Sequence, residues 1–159
     1  MNESRLSSLY QGIAETVVAA IPEEWSKVYL YGEIADGVRK AFFFYYPKDI
    51  DAPVYVHDIP ELFQVDEEEH DTYWYRLLDH VQELWQEFLQ DGKAWTNFTM
   101  FFDHTGTFNI DYGYEDLSDA DDHERAILWE HTYLGLAPTD ETDRRFLEEH
   151  LNRAKPDHQ

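Results

Sequence analysis

The chain has 159 residues, 43% of them hydrophobic and 16% aromatic, which excludes a disordered polymer and suits one globular domain. It carries 12 Lys and Arg against 34 Asp and Glu, a formal charge of −22. That balance argues against direct binding to nucleic acid or an anionic membrane and for a basic partner.

Residues 3–20 have the spacing of a helix. Leu6, Leu9, Tyr10, Ile13, Ala14, Val17 and Val18 fall on one face. Asn2 caps the start, Pro22 marks the end, and Gly12 suggests close approach of another element. Residues 27–34 and 38–46 read as strands around an Asp36-Gly37 turn, a β-hairpin signal. The hairpin is aromatic on both faces, with Tyr29, Tyr31, Phe43 and Tyr45 expected to share the second. That face is expected to be covered, because an open apolar sheet face invites aggregation.

Residues 47–60 read as a loop with a short strand at Val54, Tyr55 and Val56. A long helix follows over 67–90, with Trp74, Leu77, Leu78, Val81, Leu84, Trp85 and Phe88 in one stripe and Gly92 as its stop. Its acidic first turn suits the helix dipole. Residues 95–103 and 107–114 form a second hairpin, with Phe98, Met100, Phe102, Phe108, Ile110 and Tyr112 turned inward. Ser118 or Asp119 caps a helix over 120–133, and Thr139 or Asp140 caps a last helix through Leu151.

The order predicts an α+β fold. Two hairpins give an antiparallel sheet of 4–5 strands, packed with an N-terminal helix, a long central helix and two C-terminal helices. Residues 1–153 are expected to form a single domain and 154–159 a frayed tail. The N-terminus lacks the apolar core of a signal peptide, and no apolar run is long enough to span a bilayer. With no cysteine, disulfides, thiolate catalysis and Cys–zinc sites are excluded, which suits a cytoplasmic setting.

The catalytic motifs are weak. Glu67-x-x-His70 has the spacing of helical carboxylate metal sites, but a second copy is missing. The run DLSDADD lacks the glycine and final glutamate of a calcium loop. Asp111 is the carboxylate best isolated among apolar strand residues, yet it falls on the strand's polar face. There is no Gly-x-Ser-x-Gly and no phosphate loop. No metal or cofactor is therefore expected, and the chain reads as a binding protein rather than an enzyme. A carboxylate- or metal-dependent hydrolase, or an acidic adaptor without a nuclease partner, remains the alternative.

The segments LYQGIAETVVAAIPEEWSKVYLYGEI, FFFYYP, DIPELFQVDEEEHD and WTNFTMFFDHTGTFNIDYGYEDLSDADDHERAILWEHTYLGLAP resemble the YezG-like family of bacterial immunity proteins. IPEEW, YGYEDLSD and YLGLAP are the more specific pieces. The resemblance implies a cytoplasmic antitoxin that binds the nuclease domain of an LXG-type toxin exported by the type seven route. Inhibition would proceed without chemistry, by blocking access to nucleic acid. The family pattern assigns no contacts, so sequence chemistry nominates them. Asp111, Glu115, Asp116, Asp119, Asp121 and Asp122 form the acidic loop, Glu67, Glu68, Glu69 and Asp71 a second acidic patch. Tyr112, Tyr114 and Trp129 are the aromatic anchors. Such a surface would mimic the substrate in a basic cleft and steer encounter.

Overall fold

A computed structural model describes residues 2–154. Helix α1, Glu3–Ala20, starts where the Asn2 side chain accepts from the Arg5 amide at 3.1 Å and ends as Ile21 turns extended. Strands β1, Trp25–Ala35, and β2, Val38–Pro47, form the first hairpin. Asp36 and Gly37 both have positive φ, the geometry that a two-residue turn needs to follow the strand twist.

β3, Val54–Tyr55, leads into a 3-10 turn, Val56–Asp58, and a short helix α2, Ile59–Phe63. The expected loop therefore ends in helical turns. Ile59 holds them to the core at 1% exposure. Helix α3, Glu67–Gln90, follows, then β4, Asn97–Asp103, and β5, Phe108–Gly113. Trp95 precedes β4 rather than opening it. Its carbonyl accepts from the Trp85 indole at 3.1 Å, and the residue is buried. Helices α4, Asp122–Leu134, and α5, Glu141–Ala154, complete the described chain. Ala154 lies in α5. The rest of the expected frayed tail lies outside the described residues.

The fold is α+β. One antiparallel sheet has the order β3-β2-β1-β4-β5. The chain forms two compact units, divided between Ser118 and Asp119. The first contains the sheet with α1, α2 and α3, the second α4 and α5.

In the first unit, α1 and α3 cover one sheet face. Leu9, Ile13, Val17, Leu77, Val81 and Leu84 meet Val28, Leu30, Phe43, Tyr45, Phe98 and Met100 in a common core. Gly12 permits a close crossing, since a Cβ there would lie 3.3 Å from His80 Cε1.

Two further expectations are corrected. Tyr29 and Tyr31 do not share a face with Phe43 and Tyr45. The two-residue turn pairs Tyr29 with Phe44 and Tyr31 with Phe42, and Leu30 with Phe43. A one-residue slip in register moves every side chain to the other face. The second face thus carries Tyr29, Tyr31, Phe42, Phe44 and Tyr46, of which Tyr31, Phe44 and Tyr46 are buried. Phe108 does share the inward face, paired with Phe102, but remains 42% exposed because β5 is the edge strand. It packs on Tyr10 at 5.3 Å between ring centres. Finally, Asp121, not Ser118 or Asp119, caps α4 by accepting from the Glu124 amide at 3.0 Å. The α5 cap is Asp140, accepting from the Asp143 amide at 3.0 Å.

Candidate partner-binding surface

The nominated acidic residues of the first unit fall into two patches. One follows β5. Asp111 is exposed on the edge strand beside Asn109, whose amide donates to it at 3.3 Å. The Thr96 hydroxyl donates to the Glu115 carbonyl at 2.8 Å, and the Asn97 amide to its carboxylate at 2.9 Å. The chain beyond β5 is therefore pinned to β4. Asp116 is exposed and accepts from the Ser118 amide at 2.9 Å, which holds its carboxyl below the ordinary range. These bonds fix negative charge on an ordered turn.

The second patch is the start of α3. Asp66 caps the helix, and Glu67, Glu68, Glu69 and Asp71 are exposed around the first turns. His70 points the other way and is buried, its Nε2 3.2 Å from His57 Nδ1. Edge-to-face packing of His57 on Trp74, at 4.4 Å, seals the pair. Burial lowers the pKa of both rings. Asp71 acts against that on both, Asp58 on His57 and Glu67 on His70. Sequence reasoning weighed His70 only with Glu67 and missed its pairing with His57, because the two histidines belong to separate elements.

The two patches lie at opposite ends of the helix layer. Tyr112, next to the first patch, packs on Phe88 near the end of α3 and bonds the Tyr10 hydroxyl at 2.7 Å in the first half of α1. His70 and Trp74, near the start of α3, meet Thr16, Val17 and Ala20 at the end of α1. With 1.5 Å of rise per residue, α3 separates the patches by roughly 30 Å.

Two of the three nominated aromatic residues are inward. Tyr112 is part of the core, against Phe88 and Trp95, and burial pushes its hydroxyl pKa up. Trp129 is buried at 8% exposure. Tyr114 is 57% exposed and faces solvent.

In the second unit Asp119, Asp121 and Asp122 are exposed at the start of α4. His123 Nε2 and Asp143 Oδ2 stand 2.9 Å apart, and that carboxylate raises the His123 pKa. Glu130 is half-buried, and burial raises its pKa.

Among the described residues, no group of three His, Cys, Asp or Glu side chains is placed to hold a metal ion. No described helix is long and apolar enough to cross a membrane. An open cleft of about 830 Å³ lies in the first unit, and none of the nominated residues lines it. Its walls come from three separate turns, so no contiguous sequence signal marks it.

Residues 6–148 match the family described as "Immunity protein YezG-like". The chain is 37% identical over 154 residues to Immunity protein YezG of Bacillus spizizenii, covering 95% of this chain and 96% of that one. It is 34% identical over 153 residues to Immunity protein YezG of Bacillus subtilis, covering 92% and 99%. It is 31% identical over 117 residues to Type VII secretion system protein EsaG of Staphylococcus aureus, covering 72% and 71%.

Proposed function

The chain belongs to the YezG-like immunity protein family, and from that membership we propose that it binds and neutralises a cognate nuclease toxin in the cytoplasm of the producing cell. The charge of −22 carries this reading beyond the family. A nuclease must present a basic cleft to phosphates. An acidic inhibitor can occupy that cleft and is drawn to it over distance. The relative named as a type VII secretion system protein supports a toxin exported by that route.

The two acidic patches are the proposed contact regions, with Tyr114 as an exposed aromatic contact. Inhibition is stoichiometric and needs no catalytic group, metal or cofactor. The family match extends across both units and supports residues 1–153 acting as one immunity domain.

The test is co-expression with the C-terminal domain of the cognate toxin, followed by sizing and stopped-flow mixing. The proposal expects a 1:1 complex whose association slows steeply between low and high salt. No complex at low salt would overturn it.

A further inference from the structure

We propose that the cleft at the Trp25 end of the sheet is an anchor site for an arginine or lysine side chain of the protein partner. The inference rests on the immunity reading above and deepens it. The cleft is lined by the segment IPEEW, one of the pieces that carries the family resemblance.

Its walls are fixed by backbone. The Lys48 amide donates to the Glu24 carbonyl at 3.0 Å and the His104 amide to the Ser26 carbonyl at 2.9 Å. These bonds tie the loop after β2 and the β4–β5 turn to the start of β1. The floor is apolar, with Val18, Ile21 and the half-buried Trp25 ring. The rim is acidic, with Glu23, Glu24, Asp49 and Asp103.

Two of these carboxylates are held in place. Glu23 Oε2 accepts from the Tyr45 hydroxyl at 2.6 Å, and Tyr45 is buried. Asp103 Oδ1 accepts from the Thr105 amide, the Thr105 hydroxyl and the Thr107 amide at 2.7 to 3.0 Å. Those bonds keep Asp103 ionised. Each bond set uses one oxygen of its carboxylate. Fixed charge costs little ordering on binding.

The single lysine of the rim, Lys48, stands 3.7 Å from Glu24, and both side chains are largely exposed. Such a pair is weak and yields to a better-placed cation. A long basic side chain fits the remaining chemistry. Its methylene stem lies on the apolar floor, its charge meets the fixed carboxylates, and the Trp25 ring offers a cation–π face. Arginine suits it best, as a frequent anchor of protein interfaces. The end of α1 borders both this cleft and the interior side of the α3 start, so the anchor joins the second acidic patch at one end of the unit.

The experiment follows the Trp25 indole N–H in the ¹⁵N-labelled full chain. One titrant is the toxin's C-terminal domain and the other a short arginine peptide. The variant Glu23→Gln/Asp103→Asn keeps the acceptor oxygens and removes both charges. Glu24→Gln/Asp49→Asn does the same on the exposed rim and guards against misfolding of the first. We expect a saturable Trp25 shift with both titrants and toxin binding weakened about tenfold by the first variant. Toxin binding that leaves Trp25 unshifted and both variants as tight as the unaltered chain would overturn the anchor and leave the immunity reading standing. If the toxin domain does not bind, that reading fails for this pair and the peptide decides the cleft. A Trp25 shift lost in the first variant upholds the site, and a shift no larger than at the acidic loop overturns it.

Discussion

Gly32 on β1 gives its side-chain space to Phe98 on β4. The two residues are direct cross-strand partners, and a Cβ on Gly32 would lie 2.3 Å from the Phe98 ring. Phe98 is fully buried and packs edge-to-face on Trp95 at 5.1 Å. The missing side chain is thus what lets a large ring cross the centre of the sheet. Gly32→Ala is expected to cost about 2–3 kcal/mol by overpacking, read as a lower urea midpoint. Phe98→Leu in the same chain should recover part of that loss, since the two changes share one space.

Tyr112 and Tyr114 are two residues apart and play different parts. Tyr112 packs on Phe88 and bonds Tyr10, whereas Tyr114 is exposed. Tyr112→Ala should cost about 2–4 kcal/mol of stability. Tyr114→Ala should leave the urea midpoint within about 0.5 kcal/mol and raise the dissociation constant of the toxin complex. Paired denaturation and binding measurements separate the two.

The His57–His70 pair gives stability a pH dependence. Both pKa values lie below the ordinary 6.5 because burial disfavours the charged ring. The unfolded chain therefore binds these protons more readily. The contribution of the pair is complete above about pH 6.5 and is lost as pH falls through the lowered folded values. His123 has the opposite sign, but it is exposed and its effect is screened. Melting curves at pH 7.5 and 5.5 should show a smaller loss on acidification for His70→Gln than for the unaltered chain. An equal loss would show that the pair is not the source.

Much of this was legible in the sequence. The capping Asn2, the α3 stripe and the Asp36-Gly37 turn each express a short-range rule, and α1, α3 and the first hairpin follow them. The parity of the first hairpin did not follow from alternation alone. It depends on how many residues the turn removes from the ladder, and one residue exchanges Phe43 for Phe44 on the second face. The α2 turns were hidden because Pro60 and Gln64 look like loop residues while Ile59 anchors them from below. Acidity marked charge but not direction or role. Asp121 is a helix cap, and His70 amid the acids faces inward. The cleft joins three turns far apart in sequence, which no local pattern announces.

The loop charges should act on rate more than on fold. Asp116→Asn, Asp119→Asn and Asp122→Asn together remove three charges, and asparagine keeps the acceptor that bonds the Ser118 amide. The melting temperature should stay within a few degrees, as surface changes rarely exceed about 0.5 kcal/mol. Association with the toxin domain should slow at low salt and converge with the unaltered chain at high salt. Unchanged association at low salt would remove the loop from the binding face.

The most direct measurement is a titration of cleavage. The toxin's C-terminal domain is purified away from this chain, and nucleic-acid cleavage is followed as the chain is added back. The account predicts an abrupt loss of cleavage at equimolar protein. Cleavage that continues undiminished at excess, with no complex on sizing, would contradict it.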